Sequence, residues 1–144
     1  MGGRRHHAVP DPGGRPGGVR RGRFHHPLNA PAAETAVSFL WGAGASSVSA
    51  EGVAPAADWS VWERDGRAPR SGDGAGFARD FRDDLAQLAR LGLNSLRLTV
   101  EWARVEPAAG RPDGDALDRY LDIVDAAVAE GLGVWITLQH TSLP

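Results

Sequence analysis

The order of the apolar patterns between residues 39 and 144 is the feature that most restricts the fold of this chain. Hydrophobic residues recur at helical spacing, with charged residues opposite, in the segments 77–92 and 115–131. Each segment is followed by a short apolar run, "LNSLRLTV" at 93–100 and "LGVWITL" at 132–138. Such runs are typical of strands covered on both faces. Helices that alternate with buried strands predict a parallel sheet with right-handed crossovers and helices packed outside it.

A first strand is predicted in "FLWGAGASS" at 39–47, where glycine and alanine allow backbones to approach closely. The segment 52–76 is rich in Gly, Pro and Asp, and we predict a long loop of the kind often found at functional sites. Asp115 is predicted to cap the second helix and Gly131 to end it. Because functional side chains of parallel sheets collect where the strands end, His140 is a candidate functional residue.

Residues 1–36 differ in composition from the rest of the chain. They are rich in Gly, Pro, Arg and His and have no periodic apolar pattern, so we predict a disordered leader before one domain at 37–144. The histidine pairs at 6–7 and 25–26 could bind a metal, and the arginines a nucleic acid. Adjacent histidines in a flexible tail are usually incidental, and the tail has no run of aromatic stacking platforms. We therefore predict no metal site and no nucleic-acid partner.

A secretory signal is an alternative interpretation of the leader boundary. "RRGRF" precedes the mostly apolar "AVSFLWGAGA", and "SVSA" resembles a cleavage site. The polar stretch "HHPLNAPAAET" separates the charges from the apolar run, so we expect a cytoplasmic protein. No run approaches the roughly 20 apolar residues of a membrane span, and no membrane partner is predicted. The absence of cysteine excludes disulfides, thiolate zinc sites and cysteine nucleophiles.

Nucleotide-binding motifs are incomplete in this sequence. "GAGASS" supplies Gly42 and Gly44, but no third glycine follows, and the pattern predicts no helix until some thirty residues later. A phosphate-binding GxxxxGK loop requires lysine, which the chain lacks. These observations disfavour a nucleotide site, and no cofactor is predicted.

Five segments in order carry a family resemblance. The chain reads "FLWGAGASSVSAEG" at 39–52, "DWSVWERDGR" at 58–67 and "DFRDDLAQLARLG" at 80–92. It continues with "NSLRLTVEWARVEP" at 94–107 and "TLQHTSLP" at 137–144. These segments resemble phrases of glycoside hydrolase family 1, including F-L-W-G-A-A-T-A-S-Y-Q-I-E-G and T-L-x-H-W-D-x-P. That family consists of retaining β-glycosidases, so the resemblance implies an α/β fold: a partial (β/α)8 TIM barrel with the first three strands and two to three helices.

The activity that the resemblance implies requires residues that this sequence lacks. Retaining glycosidases use two carboxyl groups about 5–5.5 Å apart, which in this family lie in N-E-P and E-N-G phrases. Neither phrase occurs here, so we expect a partial sequence or truncated product with no catalytic residue, inactive alone. The resemblance implies the N-terminal portion of a retaining β-glycosidase with a β-glycoside carbohydrate as substrate. One alternative is a non-catalytic carbohydrate-binding or scaffold protein derived from such a barrel. The other is a different barrel glycosidase or a generic parallel α/β protein, with the leader as a nucleic-acid arm.

Four residues are predicted site residues or departures from the family. By resemblance, His140 would donate a hydrogen bond to a sugar hydroxyl in the −1 subsite, and Arg97 would stabilise the ionised nucleophile. Without that carboxylate, Arg97 is expected to be buried and unpaired. The alternatives are a loop histidine bonded to backbone and a structural ion pair. Ser49 stands where the family has a sugar-binding glutamine, and Thr141 where it has tryptophan, which indicates an altered subsite.

Five further residues are given structural interpretations. Glu51 and Trp102 match family positions and are expected to be mainly structural. Glu101 follows a strand as a catalytic acid would, but the family tolerates many residues there, so no catalytic role is predicted. Asp83 and Asp84 are predicted on the solvated side of the first helix.

Overall fold

A computed structural model describes residues 39–144. The predicted disordered leader, its histidine pairs and the domain boundary lie outside the described residues. The described part contains three strands and five helices. The strands are β1 (Gly42–Gly44), β2 (Ser95–Thr99) and β3 (Gly133–Thr137). The helices are α1 (Ser47–Glu51), α2 (Asp58–Arg64), α3 (Phe77–Arg90), α4 (Trp102–Val105) and α5 (Gly114–Ala129).

The three strands form one parallel sheet in the order β1-β2-β3. The two long helices, α3 and α5, make the β1-to-β2 and β2-to-β3 crossovers, as the alternating pattern predicts. Glycines in the left-handed region end both crossover helices, at Gly92 with φ 83° and Gly131 with φ 79°. These features confirm the predicted parallel α/β architecture and the predicted ends of both long helices.

The core lies between the sheet and the two long helices. Leu96 and Leu98 of β2 are buried against Leu85 of α3 and Ile123 of α5. Each fully buried aliphatic side chain of this kind contributes about 1.5–3 kcal/mol. The side of β3 away from β2 has no strand partner within residues 39–144, and Leu138 just beyond it is 75% exposed. The core therefore covers only one face of a short sheet.

The first strand is shorter than predicted, because a helix begins where the strand was expected to continue. β1 has three residues, and Ser46 then caps α1 by accepting a hydrogen bond from the Ser49 amide at 3.2 Å. The prediction that no helix starts near "GAGASS" was therefore wrong. The Ser46 hydroxyl accepts the Ser49 amide, which in an extended strand would need a carbonyl group of a neighbouring strand.

Two further predictions need correction. The predicted loop at 52–76 contains α2, whose Trp59 and Trp62 rings stack with centroids 5.9 Å apart. The N-cap of α5 is Asp113, whose Oδ1 accepts from the Ala116 amide at 3.0 Å. Asp115 lies instead in the first turn of α5, where its negative charge favours the helix dipole.

Candidate active-site rim

Three chain segments leave the carboxyl ends of the strands at the same edge of the sheet. They are 45–51 after β1, 100–106 after β2 and 138–144 after β3. We call these three segments the rim. In parallel α/β folds this edge holds the chemistry, because loops from neighbouring strands converge there.

Arg97 occupies the centre of the sheet face opposite the helices. Leu96 and Leu98 pack toward the helices, so Arg97 between them lies on the other face. The register places it beside Gly44 of β1 and Trp135 of β3. A Cβ atom at Gly44 would lie 2.8 Å from the Arg97 Cβ, so only glycine leaves room for the arginine. The sequence of β1 is thus matched to the side chain on β2.

The Arg97 side chain is exposed, and the prediction of a buried arginine was wrong. The prediction assumed the interior of a closed barrel, whereas three strands leave this face open. Among the residues that the structure describes, no carboxylate lies within ion-pair distance of its guanidinium. A planar guanidinium in this state is available to bind a carboxylate with two parallel hydrogen bonds.

His140 lies at the rim above the end of β2. Its half-buried ring has Nδ1 at 3.5 Å from the Thr99 Oγ1 atom. Thr99 Oγ1 itself donates to the carbonyl oxygen of Ala45 at 3.0 Å, which links the ends of β1 and β2 to the histidine. Because Thr99 follows Arg97 by two residues on one strand, both side chains lie on the same face of the sheet. His140 and Arg97 are therefore brought to the same open region.

Ser49 and Arg97 both line a groove of about 390 Å³, which His140 does not line. The Ser49 hydroxyl lies 2.9 Å from the Ser46 hydroxyl, and Ser49 is exposed on α1. Asp84 also lines this groove and is half-buried, unlike Asp83, which is exposed as predicted. The groove continues along the flank of α3, where apolar Phe77, Leu88 and Leu91 line it together with Asp84 and Gln87.

The segment after β3 is held in place by two hydrogen bonds to Asp58. Asp58 at the start of α2 donates its amide to the Leu143 carbonyl at 2.8 Å and accepts from the Leu143 amide at 3.0 Å. Thr141 has φ 70°, a left-handed conformation that is rare for a β-branched residue. Its hydroxyl donates to the His140 carbonyl at 2.7 Å. Backbone strain beside a candidate site residue indicates a loop that its surroundings constrain.

Glu51 is the acceptor at the centre of a buried polar network. Its side chain is 1% exposed, and Oε2 lies 2.7 Å from Arg119 Nη2 and 3.3 Å from Arg104 Nε. Tyr120 Oη donates to the same oxygen at 3.0 Å. Two arginines and a phenol thus compensate the buried charge of Glu51. Removal of Glu51 would leave the arginines without their partner, and removal of an arginine would leave the carboxylate undercompensated. The network is structural, as predicted for Glu51.

Tyr120 has the most strongly shifted pKa in this region. Burial disfavours the phenolate, and the negative charge of Glu51 disfavours it further, which together raise the pKa of Tyr120 to about 12. The Tyr120 oxygen also accepts the Glu101 amide at 3.2 Å. The neutral phenol therefore donates to one rim segment and accepts from another.

Glu101 is 2% exposed, and both of its carboxylate oxygens are engaged by serine hydroxyls. The serine contacts occupy both oxygens, and the absence of a catalytic role stays a prediction. Trp102 begins α4, and its indole N–H donates to Glu106 Oε2 at 2.9 Å. That bond, together with one from the Gly110 amide, lowers the pKa of Glu106.

Sequence reasoning found the residues of the open region but missed the network around Glu51. The helical pattern assigns Tyr120 to the apolar face of α5 and gives no sign of its hydroxyl partners. One signal was present, since any cation that pairs with a buried glutamate in a chain without lysine is arginine or histidine. Arg104 and Arg119 lie 53 and 68 residues from Glu51, so local patterns could not identify them.

The described residues contain no cluster of His, Asp and Glu with the geometry of a metal site. None of the helices within 39–144 is long and apolar enough to cross a membrane.

The fold and the rim define an incomplete parallel α/β barrel whose candidate site lies at the carboxyl edge of the strands. The glycosyl hydrolase family 1 model matches residues 33–144. The chain belongs to this family, and its described part is a partial (β/α)8 barrel.

Curated relatives and solved structures agree with the family match. β-Glucosidase A of Thermotoga maritima is 30% identical over 116 residues, which cover 74% of this chain and 26% of the relative. β-Glucosidase 1B of Phanerodontia chrysosporium is 29% identical over 127 residues, 80% of this chain and 24% of the relative. The β-glycosidase from Pyrococcus horikoshii matches with TM-score 0.69 and 34% identity, over 74% of this chain and 25% of that one. The chain spans about a quarter of the length of the curated relatives it matches.

Proposed function

We propose that residues 39–144 supply the first three strand–helix units of a retaining β-glycosidase, including part of the pocket for the sugar whose bond is cleaved. The observation that carries the proposal is the exposed Arg97 without a carboxylate partner among the described residues. It lies on the same face of the sheet as Thr99, whose hydroxyl is 3.5 Å from His140 Nδ1. An arginine in that position is suited to hold a carboxylate of the remaining barrel. Family membership supports the reaction class.

The proposed reaction is a double displacement. A carboxylate nucleophile attacks the anomeric carbon while a second carboxyl group protonates the leaving oxygen. Water then hydrolyses the covalent glycosyl-enzyme, with the second group acting as base. Both carboxyl groups belong to family phrases that this sequence does not contain, so the chain alone is expected to show no turnover.

Arg97 is proposed to keep the nucleophile ionised. A positive charge within a few ångströms of a carboxylate favours its charged form and lowers its pKa. In the proposed closed barrel, Arg97 extends over Gly44 to the carboxylate. Lysine would keep the charge but lose the two parallel hydrogen bonds.

His140 is proposed to bind a sugar hydroxyl through Nε2. The contact with Thr99 determines whether Nε2 donates or accepts in this hydrogen bond. Because the Thr99 hydroxyl already donates to Ala45, it is free only to accept from His140 Nδ1. In neutral imidazole the proton then resides on Nδ1, and Nε2 accepts from the sugar. The proposed contact therefore differs from the predicted donation, which would come from a proton on Nε2.

Ser49 and Thr141 support a sugar preference different from that of a glucoside-specific relative. The Ser49 hydroxyl is short and lies beside Ser46, so a glutamine-like contact with two sugar hydroxyls is not available to it. When a sugar hydroxyl is buried without a hydrogen-bond partner, the affinity falls by a factor of 10² or more, on the order of 2–3 kcal/mol.

A chimera tests the proposal. Residues 39–144 replace the matched segment of β-glucosidase A of Thermotoga maritima, and hydrolysis of an aryl β-glycoside is measured. We expect turnover by the chimera, a loss of kcat of about 10²-fold or more in Arg97→Ala, and a smaller loss in Arg97→Lys. His140→Ala is expected to raise KM as well as lower kcat.

The outcomes separate the proposal from its alternative. A folded chimera whose turnover is unaffected by Arg97→Ala would contradict the proposed role. A folded chimera that binds a glycoside without hydrolysing it would favour the non-catalytic carbohydrate-binding protein. Ser49→Gln is the specificity control, and we expect it to increase activity on glucosides relative to other glycosides.

A further inference from the structure

Glu101 is a buried carboxylate that the proposed reaction does not use. It directly precedes α4, it is 2% exposed, and no arginine lies within ion-pair distance of it among residues 39–144. A buried charge of this kind is tolerated only when hydrogen bonds replace its hydration. The structure therefore has to supply donors to both carboxylate oxygens.

The donors come from the two other segments of the rim. Ser142, after β3, donates to Oε1 at 3.0 Å and to Oε2 at 2.9 Å. Ser47, at the start of α1, also donates to Oε2. Both serines are 2% exposed, so water does not compete for these bonds. One side chain after β2 thus bonds the segments that follow β1 and β3.

These bonds lie next to both predicted sugar contacts. Ser47 precedes Ser49 by two residues within α1, and Ser142 follows His140 by two residues. The Ser142 amide also donates to the His140 carbonyl at 3.0 Å, which closes the turn around the strained Thr141. A displacement of Ser142 would therefore move His140 directly.

We propose that Glu101 is a positioning residue: its carboxylate fixes α1 and the 138–144 segment against the end of β2 and so sets the separation of Ser49 and His140. The contribution of Glu101 to sugar binding rests on the proposed glycosidase function. Its role in holding the three rim segments together does not depend on that function. The family phrase T-L-x-H-W-D-x-P has a carboxylate at the position of Ser142. In this chain Ser142 supplies the donor at that position, and Glu101, between β2 and α4, supplies the acceptor.

Amide hydrogen exchange of the full 144-residue chain tests the proposal. In Glu101→Ala, we expect the Leu143 amide, which donates to Asp58, to exchange at least tenfold faster. Amides in the middle of α3 and α5 should keep their rates. We also expect the His140 ring nitrogen resonances to shift. Glu130→Gln is the matched control, because it removes an exposed carboxylate at the end of α5.

A swap of the two residues, Glu101 and Ser142, provides a rescue variant. Glu101→Ser leaves two serines facing each other, and Ser142→Glu alone places two carboxylates together. The double variant E101S/S142E preserves the combined side-chain length, and we expect it to restore both the Leu143 exchange rate and the His140 resonances toward the original values. If Glu101→Ala does not fold, the isosteric Glu101→Gln gives the same comparison.

Two results would overturn the proposal. One is equal acceleration of exchange in the loop and in the long helices, which would indicate general destabilisation only. The other is a Leu143 rate in Glu101→Ala and Glu101→Gln that matches the Glu130→Gln control. Neither measurement needs a glycoside, so failure of the chimera to hydrolyse one would count against the proposed function alone.

Discussion

Raising the pH should destabilise this chain through one residue, Tyr120. The sequence contains a single tyrosine, no cysteine and no lysine, so few other groups titrate between about pH 9 and about pH 12. Burial and the charge of Glu51 raise the pKa of Tyr120 from 10.0 to about 12 in the folded chain. Since the unfolded chain loses this proton first, the stabilisation is complete below pH 10 and is lost as the pH rises toward 12.

The size of the effect follows from the shift. About two pKa units at about 1.4 kcal/mol each correspond to a loss of about 3 kcal/mol in the free energy of unfolding. Urea unfolding followed by circular dichroism, at a series of pH values across this window, measures the loss. The absorbance of tyrosinate reports the titration of the same residue independently.

Tyr120→Phe is the control for this prediction. It removes the bonds to Glu51 and to the Glu101 amide, so its stability at neutral pH should fall by about 1–3 kcal/mol. The pH dependence between 10 and 12 should disappear. A tyrosinate midpoint near 10 while the helical signal remains native would refute the reasoning, as would an unchanged slope in Tyr120→Phe.

Three substitutions give further predictions for the free energy of unfolding, each measured by urea denaturation. Thr141→Gly should stabilise the chain by about 1 kcal/mol, because glycine adopts φ 70° without strain; a loss of stability would contradict the assigned backbone conformation. Gly44→Ala should destabilise by about 1–3 kcal/mol, since the added methyl meets the Arg97 Cβ atom at 2.8 Å, and most of that cost should persist in the double variant with Arg97→Ala, because alanine keeps the Cβ atom. Leu85→Ala should cost about 2–5 kcal/mol because Leu85 is fully buried between the sheet and α5, and a cost below 1 kcal/mol would show that the site collapses or is open.

The sequence patterns predicted the parts of the fold that local spacing determines. The helix α3 and its stop at Gly92 follow from apolar periodicity and from the left-handed conformation that glycine adopts. The helices α1 and α2 were missed, because small and polar residues hide them and the Ser46 cap acts through one side-chain bond. Local patterns carry no information of that kind.

The location of a site residue was predictable only where it followed from the residue's position along a strand. Arg97 and His140 follow from strand alternation and from the position of the strand ends, although the exposure of Arg97 depends on how many strands surround it. The contact of Glu101 with Ser47 and Ser142 joins residues 54 and 41 positions apart. Such contacts depend on the tertiary fold, and the separate patterns do not specify them.

A crystal structure of the chimera with a bound monosaccharide-like inhibitor tests the central claim most directly. We expect the sugar on the open face of the sheet, with His140 Nε2 within about 3 Å of one of its hydroxyls and Arg97 paired with a carboxylate of the remaining barrel. A sugar bound elsewhere at the rim, with His140 turned away and Arg97 free of any carboxylate, would contradict the account.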